Sequence, residues 1–108
     1  MRRGDLVTVA LQGEHGKPRP ALVIQSDQFP GTRTVAVLPI TSTIVEAPLL
    51  RLTLDPTTEN GLRVPSQVMI DKIVTVGVAK ISTPFGRVED ATMIAINRSL
   101  MVFLGMTD

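Results

Sequence analysis

The chain of 108 residues contains no cysteine, no tryptophan and no tyrosine, and a single histidine. Without cysteine there is no disulfide framework, no thiolate metal site and no cysteine nucleophile. One histidine excludes a His-rich metal site. Three Phe are the only aromatic residues, so the Tyr and Trp rings on which most single-strand nucleic-acid platforms stack bases are missing. No apolar run approaches the ~20 residues of a spanning helix. The opening Met1-Arg2-Arg3-Gly4-Asp5 leads into a short alternating segment, not a signal-type apolar region. The expectation is therefore a cytoplasmic location with no membrane association. Charge is scarce as well: a net +1 does not indicate a polyanionic partner by itself, so any positive footprint has to be local. Neither a Walker A loop nor a Gly-x-Gly-x-x-Gly fingerprint is present, which leaves nucleotide binding by either device unsupported.

What the chain does have is a 44% share of hydrophobic residues, mostly Val, Ile, Leu, Met and Ala. That suits one folded domain over residues 1–108 with a modest core. The apolar pattern predicts strands at Leu6–Leu11, Pro20–Ser26, Thr34–Ile40, Leu49–Leu54, Ser66–Ile70 and Ile73–Ile81. Pro39 marks a place where pairing ends or bulges. From Ala91 to Leu104, Met93, Ile96, Leu100, Phe103 and Leu104 recur at helical spacing. Asp90 is placed to cap this helix and Gly105 fits its C′ position. Short strands followed by one amphipathic helix predict a mainly β fold: a small, strongly bent antiparallel sheet or barrel with the C-terminal helix packed on it.

Chemistry concentrates in Gly16-Lys17-Pro18-Arg19-Pro20-Ala21. Proline fixes its own φ and biases the preceding residue toward extended backbone, so Arg19 is stiffly held where a strand begins. Such a guanidinium suits phosphate binding, and it equally suits an ion pair with Glu14 or Asp71. Thr41, Ser42 and Thr43, at the end of the third strand, can donate to a phosphate oxygen or satisfy a turn. His15 and Glu14 precede Arg19 and are acid–base candidates, or solvated loop residues. Asp71-Lys72 interrupts an apolar stretch, either as an edge marker or as a partner of Arg19.

Taken in order, Arg3-Gly-Asp-Leu-Val, Gly16-Lys-Pro-Arg-Pro-Ala-Leu-Val-Ile-Gln-Ser-Asp, Pro39-Ile-Thr-Ser-Thr, Gly61-Leu-Arg-Val-Pro-Ser-Gln-Val-Met-Ile-Asp-Lys-Ile and a closing helix ending Leu104-Gly105 resemble the MazF/PemK (Kid) family of type II toxins along essentially the whole chain. The resemblance implies an SH3-like barrel with a C-terminal helix, acting as a homodimer. It also implies an endoribonuclease, or mRNA interferase, that needs no metal or other cofactor. Such an enzyme cuts single-stranded RNA, often mRNA, and is blocked by a cognate antitoxin protein. The family's strand-entry arginine falls on Arg19, its Ile-Thr hydroxyl on Thr41 and its aspartate on Asp71, while Glu14 occupies its acidic loop position. His15, Lys17, Ser42, Thr43 and Lys72 are the expected RNA contacts. The chain departs from the pattern at Gly13, where some members have histidine. Met69, Lys72 and Val74 stand where arginine, glutamine and a basic residue are common. The related CcdB toxins share the barrel but poison DNA gyrase by protein contact. Their Trp-Gly-Ile-type tail has no counterpart in Gly105-Met-Thr-Asp.

Overall fold

Alternation along the strands sorts the side chains onto two faces, and both faces are buried. A computed structural model of the chain describes residues 1–10 and 17–108. It contains β1 (Asp5–Ala10), β2 (Pro18–Val23), β3 (Thr34–Thr41), β4 (Arg51–Leu54), β5 (Ser66–Met69), β6 (Val74–Gly77), a 3-10 turn at Val78–Lys80, β7 (Gly86–Arg87) and α1 (Asp90–Phe103). All pairings among these strands are antiparallel, in the order β4-β5-β3-β2-β1-β7, with β6 also on β3. Leu6, Leu22, Leu38, Ile40, Val68 and Ile70 point to one side and pack with Met93, Ile96 and Leu100 of the helix. Val7, Val9, Ala21, Val23, Val35, Val37 and Val76 form a second core on the other side. Period-two patterning therefore places Leu and Ile under the helix and smaller Val and Ala where the sheet folds over itself. The result is the half-barrel with one C-terminal helix that the pattern predicts.

β3 is the hinge of this sheet. Its Thr34–Val37 half pairs with β6 and its Ile40–Thr41 end pairs with β5. Pro39, which has no N–H, lies between the two ladders. The strand continues through this proline, and what changes there is the partner.

Boundaries shift in three places that matter. β2 begins at Pro18, so Arg19 lies inside a strand paired with Val9. β3 extends to Thr41, which is a strand residue paired with Gln67. β7 forms within a segment whose Pro and Gly read as a turn, because β1 offers it a pairing edge. The helix is capped by Glu89, with Asp90 in its first turn, and no side chain bonds to the free N–H groups. The apolar row predicted for the helix overruns the sheet: Leu100 is buried, but Phe103 and Leu104 are 44% and 53% exposed.

The Arg3-Gly-Asp motif has a structural job. Arg3 donates from Nε to the Ile24 carbonyl at 2.9 Å and from Nη2 to Asn97 Oδ1 at 2.6 Å, which ties the helix to the end of β2. Asp5 accepts from Arg87 Nη1 at 2.9 Å and from the Arg2 N–H at 2.7 Å, locking β7 beside β1.

Candidate functional site

The groove that matters opens where prolines stop a ladder. β2 and β3 pair at Val23–Val37, Leu22–Leu38 and Ala21–Pro39, and the ladder ends there. Pro18, Pro20 and Pro39 cannot donate to it. Arg19 and Thr41 stand two residues beyond its last pair, Ala21–Pro39, and both line the space that opens there. The space beyond the ladder is lined by Thr8, Pro18, Arg19, Pro20, Ile40, Thr41 and Ser42, together with Gly61–Val64, Ser66 and Phe85. This open groove has a volume of about 400 Å³.

Its chemistry is one-signed. The described lining holds two arginines, Arg19 and Arg63, several hydroxyls and no carboxylate. Both arginines are exposed. Thr41 Oγ1 accepts the Thr43 N–H at 3.1 Å, as expected of a turn hydroxyl. Its own O–H is still able to donate into the groove. Two cationic forks with hydroxyl donors between them suit a phosphodiester.

The connection that carries Ser42 and Thr43 is held by a buried amide. Gln67, 4% exposed, accepts at Oε1 from the Val45 N–H and from Arg51 Nη1, at 3.1 and 3.2 Å. Its Nε2 donates to the Val45 carbonyl and to Thr53 Oγ1, at 3.0 and 3.2 Å. Arg51 also donates to the Thr43 carbonyl at 3.3 Å. Since Gln67 pairs with Thr41 across the sheet, one residue ties the loop to the strand end that bears the hydroxyls.

The structure brings together Arg19, Thr41 and Ser42, with Lys17 exposed just before β2 and Thr43 exposed on the adjoining loop. Asp71 and Lys72 are placed elsewhere. They form the turn between β5 and β6 and are paired with each other at 3.7 Å. Neither residue lines the described groove. Glu14 and His15 lie outside the described residues. Sequence reasoning missed Thr8, Arg63 and Phe85. Arg63 and Phe85 stand 44 and 66 positions from Arg19, and no local spacing signals that they share its groove.

Fold and groove together define a small half-barrel protein with two arginines and several hydroxyls in the described lining of one groove. The chain belongs to the family described as PemK-like, MazF-like toxins of type II toxin–antitoxin systems, whose sequence profile matches residues 2–104. It is 45% identical over 107 residues to a Mycolicibacterium smegmatis protein named "Probable endoribonuclease MazF", covering 98% of each chain. It is 28% identical over 116 residues to "Endoribonuclease MazF9" of Mycobacterium tuberculosis, again covering 98% of each. Among solved structures, an endoribonuclease in complex with its cognate antitoxin from a mycobacterial species has the same fold. It superposes with a TM-score of 0.84 at 24% identity, covering 100% of this chain and 98% of that one.

Proposed function

We propose that this chain is the toxin of a type II toxin–antitoxin pair and a metal-independent endoribonuclease that cuts single-stranded RNA, mRNA included, at a short sequence. The observation that carries this reading is the groove in which Arg19, Thr41 and Ser42 converge and whose described lining holds no carboxylate. The relatives named endoribonucleases point the same way and do not favour a gyrase poison.

The reaction is a transesterification. The 2′-oxygen of the RNA bonds to the adjacent phosphorus and the bond from phosphorus to the 5′-oxygen breaks, leaving a 2′,3′-cyclic phosphate and a 5′-OH. The nucleophile is internal, so proximity lowers the barrier. Arg19 holds the phosphate and stabilises the charge added in the transition state, while Thr41 and Ser42 donate to its oxygens. A guanidinium is a poor proton acceptor near neutral pH, so another group takes the 2′-OH proton and another delivers one to the 5′-oxygen. Glu14 and His15, which precede Arg19 in the chain, are the proposed groups, and Asp71, which does not line the described groove, is the comparison. Replacing them one at a time assigns the roles: the variant that loses a limb of the pH–rate profile marks the acid or the base. In the cell the toxin works in the cytoplasm, as a homodimer, and its antitoxin covers the groove.

Arg19→Ala tests the reading. Cleavage of RNA should fall about 10²–10³-fold with an unchanged circular dichroism spectrum, and wild-type products should carry cyclic-phosphate ends. Efficient cleavage by a folded Arg19→Ala protein would sink the assignment. DNA of the same sequence should bind at most, since it lacks the nucleophile.

A further inference from the structure

All three aromatic residues lie outside the core: Phe29, Phe85 and Phe103 are 62%, 40% and 44% exposed. The core is purely aliphatic, so these rings are held at the surface at a cost in hydration. Among them only Phe85 borders the groove, whose lining it shares with Arg63 and Arg19.

The wall carrying that ring is a built one. A Cβ on Gly61 would sit 2.8 Å from the Phe85 carbonyl oxygen and 3.2 Å from its ring, and a Cβ on Gly86 would collide with the Asn60 carbonyl. Two glycines thus press the 60–61 turn against residues 85–86. The turn cannot drift, because Asn60, 5% exposed, accepts from the Thr57 and Leu62 N–H groups at 2.9 Å each and donates to the Asp55 carbonyl at 2.8 Å. The Phe85 N–H in turn bonds the Leu6 carbonyl at 2.9 Å. Phe85 is therefore a preformed aromatic face on a rigid base, in a groove that also holds Arg63 and Arg19.

We propose that Phe85 and Arg63 hold the nucleotide next to the scissile phosphate, Phe85 stacking on its base and Arg63 pairing with its phosphate. This rests on the endoribonuclease reading above and extends it to a residue pair that selects and positions the RNA. A base and its phosphate present a flat apolar face and a charge a few ångströms apart, which is the pattern the wall offers. Stacking on a lone ring tolerates any base but favours purines through their larger overlap.

The chain has no Trp or Tyr, so Phe85→Trp introduces a single indole whose emission reports on stacking. Cut positions in a mixed-sequence RNA are first mapped with wild-type protein, and a fully 2′-O-methylated RNA of that sequence then serves as a ligand that cannot be cut. Its addition should quench the emission of Phe85→Trp and leave that of Phe29→Trp unchanged. Phe85→Ala and Phe85→Leu should weaken binding of this RNA at least about 5-fold, with KM rising and kcat changing less than threefold. Phe85→Tyr should restore binding. Arg63→Gln should lower the slope of log Kd against log salt by about 0.7, the signature of one lost single-strand phosphate contact. If wild-type protein cuts RNA but Phe85→Ala and Arg63→Gln bind within twofold of it and the indole is silent, the proposal falls and the nuclease reading stands. If wild-type protein neither cuts nor binds RNA, the nuclease reading falls first and takes this proposal with it.

Discussion

Single residues in this protein act by holding others in place. Gln67 makes four hydrogen bonds with one amide, filling its oxygen and nitrogen alike. Gln67→Leu keeps the volume and removes all four. Val45 is exposed, so water replaces the lost partners there, and the global cost stays at roughly 1–2 kcal/mol. The local effect is larger, because the loop bearing Ser42 and Thr43 loses its tie to β5. The expected outcome is a small drop in the urea midpoint together with a several-fold rise in KM for RNA. A loss of stability with unchanged KM would show that the loop is positioned by other contacts. Asp5 is a second such residue. Its carboxylate joins the Arg2 N–H to Arg87 across β1 and β7, so the acidic residue of the Arg-Gly-Asp motif serves folding and not the groove.

At the level of elements, two glycines with different duties allow a contrast. Gly105 has φ +73° and ends the helix with a paired closure, its N–H bonding the Val102 carbonyl at 3.1 Å and the Met106 N–H the Met101 carbonyl at 2.8 Å. This is the closure that glycine at C′ permits. Open space surrounds its missing side chain, so Gly105→Ala is charged only for the backbone, about 1 kcal/mol. Gly86 is hemmed in by the Asn60 carbonyl, and Asn60 is too well bonded to yield. Gly86→Ala should therefore cost about 2–4 kcal/mol and displace the wall that carries Phe85. Chemical denaturation of the two variants side by side checks the order; equal losses would show that the 60–61 turn gives way.

For the whole molecule, the unfinished surface is the end of the helix. Met101, Val102, Phe103 and Leu104 are 41%, 43%, 44% and 53% exposed in the isolated chain. Four successive exposed apolar residues at the helix end are more than an isolated surface side chain, which supports the proposed homodimer. Sedimentation should give twice the 11.7 kDa chain mass. Phe103→Asp should shift the protein toward monomer while preserving its circular dichroism spectrum. A wild-type monomer at micromolar concentration would rule out a stable dimer. Among the described residues, no helix is long and apolar enough to cross a membrane.

The sequence by itself determined the class of fold. Leu6-Val7-Thr8-Val9 and Val35-Ala-Val-Leu are nearly continuous apolar runs because each strand is buried on two faces. Met93, Ile96 and Leu100 recur at helical spacing because one stripe must meet the sheet. Arg19 between prolines, and the hydroxyls after Ile40, were legible as candidates because local backbone chemistry singles them out. Only the tertiary structure decided which candidates meet. The antiparallel register of β2 and β3 brings Arg19 and Thr41 to one groove and leaves Asp71 in the β5–β6 turn, outside the groove's described lining. The Gly61–Phe85 and Gly86–Asn60 approaches bring in Arg63 and Phe85. The physical reason is that patterning and propensity act over a few residues, whereas a groove is made where strands far apart in the chain stop pairing.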